Sequence, residues 1–253
     1  MQEKSILELY GELRGRTKIV DLAPRLQSNM PRMTVHPDIS IIHDARNHEQ
    51  HGYYSQSLIM SEHHGAHVDA PIHVHREMTD ATIEAVPLDQ LMGPYKKYDL
   101  GRFDPQPGQL ITRAQLREEE QRAGFTVDAG DIVLVDFGWS RFYLPDEPDW
   151  ATRRYWSDFN AGLDEDACDY LAAKGIKAIC SDTVACDIAI VEAEIVSEFG
   201  HRTYFLPNNI LIGEAFDNLA AIPPTGIILA LPLRIDRGSG SPLRPVAMFE
   251  PAS

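Results

Sequence analysis

His63-His64-Gly65-Ala66-His67-Val68-Asp69-Ala70-Pro71-Ile72-His73 is the stretch on which the rest of the chain turns. The chain carries ten histidines, and five of them fall between His63 and His75. His63, His67, Asp69 and His73 sit at offsets 0, 4, 6 and 10, all even. Side chains alternate faces along an extended backbone, so four groups at even spacing can line one side of a strand or strand-like loop. A helix brings only His63 and His67 together, and Gly65 and Pro71 disfavour it. His64 has the opposite parity and is expected to point away, as is His75, which lies beyond Pro71. Two imidazoles and a carboxylate, His63, His67 and Asp69, form a ligand set for a divalent metal with an open position for water or substrate. Pro71 restricts the backbone before His73, which can then stand beside the metal and carry a proton. A metal kept for stability alone is the competing reading. His36, His43, His48 and His51 read as ordinary surface or hydrogen-bonded histidines.

Working outward, Gln56 to Met60 reads as a strand running into this cluster, and Lys18 to Leu22 as an earlier one. The first dozen residues read as a short amphipathic helix. Thr112 and Gln115 stand at capping-box spacing ahead of a helix that stops at Gly124. Ile132 to Phe137 is a β-branched apolar run and reads as a buried strand. Leu163 to Lys174 reads as a helix ended by Gly175, followed by a strand from Ile176 to Cys180. Ile210 to Ile212 and Ile227 to Leu233 are further strands. Strands outnumber helices and the two alternate, which gives a mixed α/β class with a large sheet or barrel. Trp139 to Trp156 is aromatic-rich and reads either as a pocket wall or as a loop pinned to the core. Asp182-Thr183 is expected to cap a turn, with a bond to a ligand histidine as the alternative.

At 253 residues the chain is long enough for one sizeable core, and residues 1–253 read as a single catalytic domain. The apolar fraction of 43% and charged fraction of 24% suit a soluble globular protein. A formal net charge of -15 argues against a nucleic-acid partner and an anionic membrane surface. The three cysteines match no zinc or redox spacing and read as reduced thiols of a cytoplasmic protein. The start carries charges and no apolar core, so no secretory signal is expected. No apolar run approaches the roughly 18–20 residues that span a bilayer.

The histidine stretch resembles the His-x-Gly-Thr-His-x-Asp-Ala-Pro-x-His signature of the cyclase family, which includes bacterial kynurenine formamidase and isatin hydrolase and proteins named as polyketide cyclases. Supporting motifs run nearly full length: Ile19 to Leu22 with Met30-Pro31, Gly130 to Leu134 with Gly138-Trp139, and Lys177 to Ile179 with Ser181-Asp182-Thr183. Distally, His201-Arg202, Ile210 to Glu214 and Asn218-Leu219 fit the same pattern. The resemblance implies a swivelling β/β/α domain, a central mixed sheet or barrel flanked by helices, assembled as a homodimer or homotetramer. It implies that His63, His67 and Asp69 bind a first Zn2+ or Mn2+, that Asp69 bridges to a second ion held by His201 and Glu214, and that His73 is the general acid/base. The implied activity is metal-dependent hydrolysis of an amide, formamide or lactam in a small molecule. A metal-dependent cyclase or lyase acting on a carbonyl-rich substrate is the alternative, and an inactive binding scaffold the third. Two departures stand out. Ala66 occupies the position of the usual Thr. The His201 to Glu214 spacing is one residue longer than in the formamidases, which leaves one or two ions open.

Overall fold

The structure is a computed structural model that describes residues 4–251. Nine strands form the central sheet. In chain order they are β1 (Lys18–Asp21), β2 (His67–Asp69), β3 (Met92–Asp99), β4 (Ile132–Asp136), β5 (Ala178–Ser181), β6 (Leu211–Glu214), β7 (Thr225–Leu229), β8 (Gly240–Pro242) and β9 (Val246–Phe249). Their order across the sheet is β1-β9-β7-β3-β4-β5-β6-β2-β8. Strands β3, β4, β5 and β6 run parallel, while β2, β7, β8, β9 and β1 pair antiparallel at the two flanks. The mixed sheet flanked by helices agrees with the expected class.

The parallel centre follows from its connections. Helix α2 (Arg113–Ala123) lies between β3 and β4 in the chain, and α4 (Glu165–Ala173) between β4 and β5. Parallel neighbours need such crossovers. Helix α2 begins on the Thr112–Gln115 capping box and ends at Gly124 in the left-handed region, as the sequence predicts. Asp164 caps α4 by accepting from the Ala167 N–H.

Along β4 the side chains alternate between two cores. Val133 and Val135 pack with Leu116, Leu163 and Leu171 on the helix-bearing face. Ile132 and Leu134 pack with Tyr95, Leu211 and Phe216 on the other. A fully buried parallel strand therefore reads as a continuous apolar run rather than an alternating one. Helix α3 (Trp150–Asp158) carries part of the aromatic segment, and α1 (Ile6–Arg16) precedes β1. Residues 1–3 of the expected N-terminal helix lie outside the described residues. The expected strand at Ile227 to Leu233 instead spans Thr225–Leu229; the sequence reading placed it too late. The sequence reading also missed Ser40–Arg46, which pairs with Ser55–Ile59 in a separate hairpin. Among the described residues, no helix is long and apolar enough to cross a membrane.

Candidate metal centre

Strand β2 supplies the middle of the site. His67 and Asp69 are two residues apart and share a face, while Val68 turns into the opposite core. Across the ladder, Glu214 pairs in register with His67, and Ile212 with Asp69. Cross-strand partners on one face sit close enough to touch. Glu214 thus meets His67 at the end of β6, with Oε2 3.0 Å from Nε2.

The expectation of one extended segment from His63 to His73 is corrected here. Only His67–Asp69 is a strand. Gly65 sits at φ 65, in the left-handed region, so the chain turns between His63 and His67. A Cβ at that position would also lie 2.7 Å from Leu26 Cδ2. Pro71 opens a 3-10 turn that carries His73. Turn, strand and turn still converge: His63 Nδ1 is 2.7 Å and His73 Nε2 is 3.9 Å from Asp69. His201 arrives from residues 200–204 and places Nε2 3.4 Å from Asp69 Oδ2 and 3.6 Å from Glu214 Oε1.

Two buried triads result, His63–His67–Asp69 and Asp69–His201–Glu214, and Asp69 belongs to both. His73 belongs to neither. Each imidazole of the two triads is tied down through one nitrogen. His67 Nδ1 lies 2.8 Å from the Gly65 carbonyl, so it donates there and leaves Nε2 bare. Asp187 lies 2.9 Å from His201 Nδ1 and also accepts the His201 backbone N–H, which leaves that Nε2 bare too. Among the described residues, buried His67 Nε2 makes no hydrogen bond of good geometry, although Glu214 Oε2 stands 3.0 Å away. Buried polar atoms are seldom left so. Bare imidazole nitrogens facing carboxylates, oriented from behind by fixed acceptors, are the donor set of a divalent metal. The residues present fit such an ion.

Electrostatics agree. Burial disfavours the charged form of His67, but Glu214 and Asp69 outweigh it and raise the pKa to about 9. His201 is likewise raised well above the usual imidazole range, its burial overcome by Asp187, Asp69 and Glu214. Asp69, although buried, is held well below the usual carboxylate range by His201 and His63. The cluster demands positive charge. By contrast, burial lowers the pKa of His73.

Other histidines depart from expectation. His64 does point away, with Nε2 3.0 Å from the Pro37 carbonyl. His75 does not: its Nε2 sits 2.8 Å from the His201 carbonyl and braces that residue. His36 is no ordinary surface residue. Its ring stacks on His63 at 5.5 Å, and burial lowers its pKa to about 4. Asp182 takes the capping role, accepting from the backbone N–H groups of Phe137, Trp139 and Ser140. The aromatic segment divides. Trp139, Phe142 and Tyr155 pack together away from the centre, while Trp156 reaches the site cavity. That cavity, lined also by Met33, His36, His63, His67 and Glu214, measures about 20 Å³. A larger cleft of about 550 Å³, bounded by Glu77, Asp80, Pro87 and Asn209, contains none of the cluster's side chains.

Asp187, His36 and the brace from His75 escaped the sequence reading. Their residue types are common and their partners are distant in the chain.

Comparison with known proteins places this geometry. The family model described as "Putative cyclase" matches residues 20–188. The chain is similar to isatin hydrolase of Roseibium aggregatum, 25% identical over 99% of this chain and 94% of the relative. It is also similar to kynurenine formamidase of Salinibacter ruber, 25% identical over 81% of this chain and 85% of the relative. Among solved structures, isatin hydrolase A from Ralstonia solanacearum superposes with a TM-score of 0.84 at 25% identity, covering 99% of each chain. An isatin hydrolase bound to the product analogue thioisatinate gives the same TM-score of 0.84 at 24% identity, over 99% of this chain and 100% of that one. With the signature, the fold and the family match in agreement, the chain belongs to the cyclase family.

Proposed function

We propose that this chain hydrolyses an amide, formamide or lactam bond in a small molecule, with a divalent metal held by the buried cluster. The observation that carries this reading is the pair of buried triads that share Asp69, with the His67 and His201 Nε2 atoms turned toward Asp69 and Glu214 by fixed acceptors behind them. The named activities of the relatives, isatin hydrolase and kynurenine formamidase, support the bond class. His63, His67 and Asp69 would hold one ion, and His201 and Glu214 with Asp69 a second. Nitrogen and carboxylate donors suit zinc and manganese alike. When bound, such an ion supplies activated water at neutral pH and polarises the scissile carbonyl.

The chain's own residues do the rest. His73 takes a proton from the attacking water and passes it to the leaving nitrogen. Its ring lies 4.1 Å from that of His63, beside the ligands but outside both triads. Its lowered pKa suits a group that starts neutral and accepts. His36 and Trp156 line the cavity beside the cluster. The exposed apolar residues of α1 and of the hairpin support assembly as a homodimer or homotetramer.

The test is a panel of isatin, N-formylkynurenine and related amides and lactams, assayed with added manganese or zinc and again with chelator. Metal-dependent turnover of at least one is expected, and its absence across the panel defeats the reading. Reaction in heavy-oxygen water separates hydrolysis from cyclase or lyase chemistry, because only hydrolysis must place solvent oxygen in the product.

A further inference from the structure

Arg32 stands in the wall of the cavity beside the metal cluster, together with His36, His67, Glu214 and Trp156. Its side chain is 12% accessible, that of its partner Asp38 73%. Arg32 Nε and Nη2 both donate to one oxygen of Asp38, Oδ1, at 2.9 and 2.5 Å. Nη1 donates to the Met33 carbonyl at 3.1 Å.

Helix α3 brings two further guanidinium groups. Arg32, Arg153 and Arg154 place Cζ 5.9, 5.0 and 6.0 Å from the centre of the Trp150 ring. Trp156, which lines the cavity, follows Arg153 by three positions and shares its helix face. Arg154 is committed to Asp158 at 2.8 Å. Among the described residues, Arg153 pairs with no carboxylate: Nη1 donates to the Asn29 carbonyl at 3.4 Å, and the buried Nε has no acceptor. Asp149, at the start of α3, spends its carboxylate on Thr152.

Three like charges around one indole are hard to explain by packing. The chain carries a net charge of -15, so a cationic rim on this cavity is a local reversal. A trio that only braced the loop would match each guanidinium to a carboxylate. Instead Arg153 keeps a donor in reserve, and Arg32 spends two on a single oxygen of an exposed acid. A pair whose acid stands in solvent contributes little and can exchange for another acceptor. An arginine fork fits a carboxylate with two parallel bonds, and stacking on an aromatic ring holds the fork ready.

We propose that Arg32, assisted by Arg153, sets the specificity of the site, and that its preferred amide carries a carboxylate apart from the scissile bond. The substrate carboxylate takes the place of Asp38 on the Arg32 fork. This deepens the hydrolase reading above and rests on it. Neutral amides and lactams lack the group and are the poorer substrates.

The three formamidobenzoate isomers and formanilide provide the test, because all share an aryl formamide and differ in the carboxylate. Wild type is expected to prefer at least one isomer over formanilide by about 10–100-fold in kcat/KM. Arg32→Met collapses that preference, Arg153→Met lowers it by less, and Arg32→Lys keeps part of it. Equal turnover of formanilide and every isomer by wild type overturns the proposal. So does an Arg32→Met enzyme that loses both kinds of substrate in equal proportion, which is what a bracing role predicts. Titration calorimetry with benzoate and benzamide separates this outcome from the hydrolase reading. Benzoate is expected to bind wild type more tightly than benzamide, to weaken in Arg32→Met, and to tighten in Asp38→Asn, which releases the fork. If no formamide turns over, the hydrolase reading fails, while benzoate still decides the anion site: equal affinity in wild type and Arg32→Met overturns it.

Discussion

His73 differs from its neighbours in exposure: its side chain is 29% accessible, against 7% for His63, 6% for His67 and 4% for His201. A ligand is buried around its ion, whereas a proton carrier must reach substrate. His73→Ala should therefore keep its metal content and lose about 10²–10⁴-fold in kcat. Metal analysis beside steady-state kinetics decides it, since loss of the ion together with activity would make His73 a ligand. At this scale the sequence was informative where contacts are local. His63, His67, Asp69 and His73 lie within eleven residues, and spacing exposed them. His201 and Glu214 came only through the family resemblance. Asp187, Glu62 and Ser239 are ordinary acidic and hydroxyl residues until the fold sets them behind an imidazole. Their bonds cross 14, 177 and 176 residues, and no local pattern reports such a distance.

Among the elements, those with a local cause were legible. The capping box starts α2, Gly124 stops it, and an apolar run makes β4. The histidine stretch was harder, because a period of two describes His67 and Asp69 but not the turns at Gly65 and Pro71. Parity gave the right neighbours there for an incomplete reason. Ser40–Arg46 was missed because its pairing with Ser55–Ile59, not its own polar sequence, makes it a strand. Strand β8 shows how tightly one element constrains another. A Cβ on Gly240 would lie 2.6 Å from His63 Cε1 and 2.8 Å from the Val68 carbonyl oxygen. The carbonyl belongs to the β2 ladder and cannot yield cheaply. Gly240→Ala should push β8 from β2, tilt His63, cost about 1–3 kcal/mol of stability and weaken metal binding. Denaturant unfolding with calorimetry tests both; wild-type values for each would show that β8 adjusts without strain.

Across the whole molecule, the apolar surface is uneven. Helix α1 buries none of its side chains and exposes Ile6, Leu7, Leu9 and Tyr10. The hairpin exposes Ile42, Leu58 and Ile59. An isolated two-stranded hairpin is marginal in water, and exposed apolar side chains clustered on single elements suit an interface. Light scattering on the eluting protein should give a dimer or tetramer mass, and Leu7→Glu with Leu58→Glu should lower it. A monomer mass for wild type would refute the assembly. A different consequence follows from the cavity above the cluster. At about 20 Å³ it has room for roughly one water, so an amide substrate does not fit inside it while the segment from Pro31 to His36 stays in place. Arg32 braces that stretch locally, donating to Asp38 at 2.9 Å and to the Met33 carbonyl at 3.1 Å. Admission of a substrate larger than water through this face would require the segment to move aside at the expense of those contacts, which would add a conformational step ahead of the chemistry.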